Sequence, residues 1–191
     1  MYYEDGQGYS AHYIHGKLDW SEGTYRYLPS EEAEVEEYFG RIEKGQRVGA
    51  GRQRYRNGDE FSGHFSNDLP HGRGELAYSN GDRYVGDFVE GLKHGRGQYV
   101  YSNGDRYVGD WLNGLMHGEG DFQAKAAGYS YSGQFQRGLR HGQGTLRFAA
   151  GEIYEGEFQD GLMQGKGKYF FGNGSQYEVG HSNVKRTSNF E

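Results

Sequence analysis

Residues 84–106 read YVGDFVEGLKHGRGQYVYSNGDR, and the same sentence begins again at Tyr107 with YVGDWLNGLMHGEG. Residues 61–83, FSGHFSNDLPHGRGELAYSNGDR, are a third copy, so the repeat is 23 residues long. Two runs of period 2 lie inside it. Tyr84, Gly86 and Phe88 share one face of the first run, and Gly97, Tyr99 and Tyr101 share one face of the second. Alternation of this kind argues strand. A glycine in such a strand lets a neighbouring ring lie over its backbone. Ser102-Asn103-Gly104-Asp105 follows the second run. Its Asn-Gly pair is expected to supply the positive-φ residues of a tight hairpin turn. The glycine-bracketed stretch from Glu90 to Gly95 is expected to make the opposite turn.

Extending this reading gives six tandem units, 38–60, 61–83, 84–106, 107–130, 131–153 and 154–176. The fourth carries one extra residue and Lys125-Ala126-Ala127-Gly128 in place of Asn-Gly-Asp, which predicts a bulge or a longer turn. Residues 1–25 read as a degenerate N-terminal repeat or cap, with a strand from Gly16 and a turn at Ser21-Glu22-Gly23. Residues 26–37 form an acidic insertion, expected to be a loop or short helix with Val35, Tyr38 and Phe39 on one face. Residues 177–191 are a C-terminal cap strand followed by a polar tail. With two strands per unit, each repeat advances about 9.6 Å, and six span roughly 55–60 Å.

The pattern Tyr-x-Gly-x-aromatic-x-x-Gly-x-x-His-Gly-x-Gly, followed by Tyr-x-x-Gly-Asp, resembles the MORN repeat. The resemblance implies an all-β fold: an elongated, single-layer antiparallel β-sheet of tandem MORN hairpins, curved, with an aromatic groove. Similar proteins hold a helical or extended partner segment in such a groove.

Composition narrows the function. The chain has 35 glycines, 18 tyrosines, 11 phenylalanines and 2 prolines among 191 residues. Periodic rings and glycines can build a thin repeat core where aliphatic residues are scarce. The net charge is −6, so the basic footprint of nucleic-acid binding is missing. There is no cysteine, which excludes thiolate metal sites and disulfide staples. No apolar run suits a secretory leader or a membrane span, and a cytoplasmic address is expected.

Candidate chemistry is thin, and no catalytic residue, metal site or cofactor is expected. His71, His94, His117 and His141 recur once per unit. At about 9.6 Å spacing no two of them reach one ion, which needs ligands near 2 Å. Gly95-Arg96-Gly97 lacks the helix and the Lys-Ser or Lys-Thr of a phosphate loop. Asp59, Asp82 and Asp105 sit beside turn glycines and read as turn formers.

The remaining candidate is the aromatic stripe. Tyr84, Phe88, Tyr99, Tyr101, Tyr107, Trp111, Tyr131, Phe135, Tyr154 and Phe158 are expected to line a partner-binding groove, with Trp111 as an anchor. A single layer leaves its ring face partly open, and open aromatic surface marks binding sites. The expectation is a non-enzymatic scaffold for protein–protein interaction. The resemblance points to a ciliary or flagellar axoneme or another part of the cytoskeleton. Homodimer or end-to-end contact could run through the terminal strands. The second reading is a peripheral tether binding anionic lipid through Arg and Lys at one edge.

Overall fold

The computed structural model describes residues 8–14, 17–26, 35–180 and 185–187. All its regular elements are strands of a single open antiparallel sheet, and strand order in the sheet is chain order. The chain divides into two units, Met1–Lys93 and His94–Glu191.

In the first unit the strands are β1 (Gly8–Ile14), β2 (Lys17–Arg26), β3 (Val35–Glu43), β4 (Gln46–Tyr55), β5 (Glu60–Ser66), β6 (Leu69–Ala77) and β7 (Arg83–Val89). β8 (Leu92–Val100) begins there and runs into the second unit. The second unit continues with β9 (Arg106–Leu112), β10 (Leu115–Ala124), β11 (Tyr129–Gln136), β12 (Leu139–Arg147), β13 (Ile153–Gln159), β14 (Leu162–Phe170), β15 (Gln176–Val179) and β16 (Lys185–Thr187).

Burial alternates as the period-2 runs require. In β7, Tyr84, Gly86 and Phe88 are buried while Arg83, Val85 and Val89 are exposed. Pairing keeps like with like. Gly97 faces Gly109 and Tyr99 faces Tyr107 across β8 and β9, so rings and glycines collect on one face. Polar residues collect on the other, where Arg96 faces Asp110 and Gln98 faces Val108.

The two turns of the hairpin exchange the roles expected of them. The two-residue turns are Lys44-Gly45, Asn67-Asp68, Glu90-Gly91, Asn113-Gly114, Arg137-Gly138 and Asp160-Gly161, with both φ values positive. That is the type I′ geometry, whose twist matches the flanking strands. The Asn-Gly-Asp turns are longer. Gly81 N–H donates to Tyr78 O (2.9 Å), and Tyr78 N–H donates to Asp82 O (2.9 Å). Only Gly81 has positive φ (90°), and Asn80 Oδ1 instead accepts the Asp82 N–H at 2.9 Å. This is a type I turn closed by a left-handed glycine.

Both turns also tie repeats together. Gly91 N–H donates to Pro70 O (2.8 Å), as Gly138 does to Met116 O (2.8 Å) and Gly161 to Arg140 O (2.9 Å). At the opposite margin Asp59 Oδ1 accepts Ser79 N–H and Asp105 Oδ1 accepts Lys125 N–H, each at 2.8 Å. The turn aspartates therefore reach the next unit as well as shaping their own. The His-Gly pair marks a bulge. Gly118 has φ 57°, the register of β10 against β9 shifts between His117 and Gly120, and Asp110 Oδ2 accepts the freed Glu119 N–H at 3.0 Å.

Two expectations need correction. Of the acidic insertion at 26–37, residues 27–34 lie outside the described residues, while Arg26 ends β2 and Val35–Glu37 is strand, not loop or helix. Tyr38 and Gly40 carry the period-2 pattern, and Gly40 pairs with Gly51 as in later repeats. Ser21-Glu22-Gly23 is not a turn. It lies inside β2, where the register slips so that Ala11 faces Gly23 and His12 faces Asp19. Within the polar tail, Lys185–Thr187 adds a further strand that pairs with β15. The extra residue of the fourth unit is taken up by a longer turn, in which Gly128 N–H donates to Ala124 O at 2.8 Å.

Arg137 sits in the left-handed region (φ 51°), which costs a side chain with a Cβ roughly 1–2 kcal/mol and asparagine less. Arg137→Asn is therefore expected to raise stability by about 1 kcal/mol, read as a higher unfolding midpoint in denaturant. Gly120→Ala tests the opposite effect. Its Cβ would stand 2.5 Å from Tyr107 Cε2, so a loss of about 3 kcal/mol or complete failure to fold is expected.

Candidate functional site

The ring stripe is built one unit at a time. The first-strand tyrosine lies over the facing glycines: a Cβ at Gly109 would come within 2.4 Å of the Tyr107 hydroxyl. Its O–H donates to the carbonyl three residues on, Tyr84 to Asp87 O (3.0 Å), Tyr107 to Asp110 O (2.9 Å) and Tyr131 to Gln134 O (2.9 Å). Rings of neighbouring repeats then meet edge to face. In the first unit Phe61 touches Phe65 and Phe88 at 5.1 and 5.0 Å between centroids, and Tyr84 touches Phe88 at 5.1 Å. In the second unit the relay runs Trp111–Tyr107–Phe135–Tyr131–Phe158–Tyr154, with centroids 5.0–5.3 Å apart. Each such pair adds about 0.5–1.5 kcal/mol beyond the area it buries.

This packing changes the site expected from sequence. Tyr84, Phe88, Tyr99, Tyr107, Trp111, Tyr131, Phe135, Tyr154 and Phe158 are all at most 9% exposed. The rings were expected to stand partly open. They do not, because edge-to-face neighbours and Cβ-less strands close the stripe without a second layer. Trp111 is 5% exposed, and its Nε1–H donates to Gly97 O at 3.3 Å. Of the ten, Tyr101 alone keeps substantial open surface, being half-buried.

Tyr101 belongs to a second row that the sequence reading passed over. Phe122, Tyr129, Phe148 and Tyr169 are half-buried along the Asn-Gly-Asp margin of the second unit, and Phe171 is 39% exposed. They touch in pairs: Tyr101–Phe122 at 6.3 Å, Phe122–Tyr129 at 6.1 Å, Phe148–Tyr169 at 5.8 Å and Tyr169–Phe171 at 4.9 Å. The signal was present in sequence, since Tyr101, Phe148 and Phe171 keep the repeat step.

Cations cap the ring face. Lys93 Nζ stands 5.6 Å from the Tyr78 ring centre and 5.7 Å from that of Tyr84, and it donates to Tyr78 Oη at 3.3 Å. Burial pulls its pKa down to about 8, opposed by Asp82. Arg140 lies over Tyr131 (5.8 Å) and Phe158 (5.6 Å). Burial pushes Tyr38, Tyr78 and Tyr131 up to about 12, and Tyr84 and Tyr107 upward too.

The polar face holds the hollow. In the second unit a trough of about 950 Å³ is lined by Glu119, Gln134, Thr145, Glu157, Lys166 and Glu178, among others. Its backbone floor includes Gly144, Gly156 and Gly167. The repeating histidines stand at the bulges, and the turn aspartates Asp59 and Asp105 accept backbone N–H groups. Among the described residues no group of three or more His, Asp or Glu side chains is arranged to hold a metal ion. Among the same residues no helix is long and apolar enough to cross a membrane.

The hairpin, its paired glycines and its inter-repeat bonds define a tandem-repeat protein, a non-catalytic kind of fold. The MORN repeat model matches residues 38–60, 61–83, 84–106, 107–124, 131–153 and 154–176, and the chain belongs to that family. The fourth match stops at 124, where the longer turn begins. No curated protein sequence matches the chain. Solved structures to which it is similar include the TCP domain of SAS-4 (dCPAP) from Drosophila melanogaster, in complex with a proline-rich motif of Ana2 (dSTIL). There the identity is 14%, the TM-score 0.45, and the match covers 73% of this chain and 82% of that one. Another is the TCP10 domain of CPAP from Danio rerio, at 13% identity and TM-score 0.49, covering 98% of both chains.

The shifted groups give a two-limbed pH profile. Lys93 titrates near 8 when folded and near 10.5 when unfolded, so the unfolded chain holds the extra proton and stability rises across that window. The tyrosines do the reverse. Their folded values lie above the ordinary 10.0, so stability falls as pH climbs from 10 toward 12. Chemical denaturation at stepped pH should show both limbs. Lys93→Met should abolish the rising limb alone, methionine being the residue at the matching positions 116 and 163.

Proposed function

We propose that this chain is a non-enzymatic protein-interaction scaffold that holds a helical or extended partner segment along its ring face. The observation that carries this reading is that the described residues form one sheet layer, so no second layer of them covers either face. Within each unit the buried stripe forms a floor, Tyr84 and Phe88 in the first and Tyr99, Tyr107, Trp111, Tyr131, Phe135, Tyr154 and Phe158 in the second. The half-buried Tyr101, Phe122 and Phe148, with the exposed Phe171, supply the apolar surface that a partner would cover. Aromatic side chains of this kind supply large contact area at small entropic cost.

The resemblance to axonemal and cytoskeletal MORN proteins supports a place in a cilium, flagellum or other cytoskeletal assembly. The lipid-tether reading ranks behind it. Several cations of the polar face already face carboxylates: Arg83 pairs with Glu75 (2.6 Å), Arg96 with Asp110 (3.0 Å) and Lys168 with Glu178 (3.4 Å). The net charge of −6 also opposes adsorption to an anionic surface.

Fractionation of ciliated cells tests the assignment. The protein is expected to stay with axonemes or cytoskeleton after detergent extraction, and full release into the soluble fraction would overturn the address. Tyr101→Ala with Phe171→Ala should release it, while Val108→Ala on the polar face should not. Trp111→Ala is a poorer probe, since removing a buried indole costs about 3–5 kcal/mol of fold stability. Salt-sensitive binding to anionic vesicles, with no cytoskeletal retention, would favour the tether.

A further inference from the structure

A second surface lies on the opposite face of the second unit, beside the trough. Strand pairing places a row of leucines there. Gln134 lines the trough, Gln136 stands two residues on, and Leu139 faces Gln136. Glu157 lines it, Gln159 stands two residues on, and Leu162 faces Gln159. Asp110 accepts the N–H of the trough residue Glu119, Leu112 stands two residues on, and Leu115 faces Leu112. Leu115, Leu139 and Leu162 thus share the polar face at its type I′ turn margin, and they are 50%, 48% and 70% exposed. No ring of the stripe touches this face.

The trough beside the row is acidic. Glu119, Glu155, Glu157 and Glu178 line it against Lys166 and Lys168, and Lys168 is paired with Glu178. The step from one leucine to the next crosses two strands, about 9.6 Å. Seven residues of an α-helix advance about 10.5 Å. A straight helix with apolar residues seven apart can therefore meet three leucines in turn with little accumulated mismatch.

We propose that this face docks a basic amphipathic helix of a partner protein. Its apolar residues would sit on Leu115, Leu139 and Leu162, and its Lys and Arg flank would lie over the trough glutamates. Complementary charge sets the choice of partner and speeds its arrival, while the leucines supply apolar area. An anionic membrane is the wrong sign for the trough, and an acidic helix would meet like charge. The surface is separate from the ring row, so a chain carrying both can bridge two partners.

The test uses the full chain and a labelled synthetic helix of roughly 20 residues, with leucines seven apart and lysines on one flank. A matched peptide with glutamate for lysine is the control. Wild type should bind the basic peptide and not the acidic one, more weakly as salt rises. The double variants Leu139→Asp/Leu162→Asp and Glu119→Lys/Glu155→Lys alter exposed side chains, so their circular dichroism should match wild type. Each should weaken binding roughly tenfold or more. Phe171→Ala, on the ring face, should leave it unchanged, which separates this surface from the one proposed above. The proposal is overturned if wild type fails to bind at low salt, if both peptides bind alike, or if either double variant binds as wild type does. Loss of binding in Phe171→Ala would also overturn it. So would a sedimentation result in which the leucine variant breaks up a dimer, since the occupant would then be a second copy.

Discussion

A phenol ring laid over two facing glycines is the contact on which the rest of this structure depends. Tyr107 covers Gly109 and Gly120, Tyr131 covers Gly133 and Gly144, and Tyr154 covers Gly156 and Gly167. Added Cβ atoms at these glycines would come within 2.4–2.8 Å of the rings. The ring can approach that closely only because both strands lack side chains there. The approach lets the hydroxyl reach a backbone carbonyl of its own strand. One residue in each unit thus buries apolar surface, satisfies its polar atom and fixes the register of a hairpin.

From this contact a core follows without a second layer. A sheet normally needs something packed on its apolar face. Here the rings are covered on their edges by rings from the same and neighbouring repeats, and Tyr84 and Tyr131 are covered from above by Lys93 and Arg140. Stability is then close to a sum of units and the couplings between neighbours. Those couplings are visible as the glycine N–H bonds at one margin and the aspartate bonds at the other. Because the stripe closes on itself, surface for partners moves elsewhere. It moves to the half-buried second row of rings on one face, and to the leucine margin and trough on the other.

Repeats that depart from the pattern show which parts are essential. Phe61 replaces tyrosine and gives up the hydroxyl bond, yet remains 1% exposed over Gly63 and Gly74. In the first repeat Arg47 lies over Tyr38 and Phe65 and pairs with Asp68 at 3.2 Å, while Gln53 stands buried beside it. A polar cluster does there what Lys93 and Arg140 do in later repeats. The ring and the glycines recur throughout, whereas the cap on the ring is free to vary.

How much was legible in the sequence follows from what is periodic. The 23-residue step, the hairpin and the ring-and-glycine face could be read from the repeat and its alternation, because side-chain direction in a strand repeats every two residues; the single layer was implied only by the resemblance to MORN repeats. The assignment of turn types could not. Asn80-Gly81 and Glu90-Gly91 both satisfy the composition of a tight turn, and the count of residues between paired strands decides which is type I′. The strand at Val35–Glu37 was obscured by acidic neighbours whose charge suits a helix start. The openness of the stripe was misjudged for a physical reason. Sequence fixes which rings share a face, but only three-dimensional packing decides whether neighbouring rings meet edge to face and shut water out. The trough and the leucine margin are likewise products of register. Leu139 and Gln134 belong to different strands, and the pairing of those strands is what sets them on one surface.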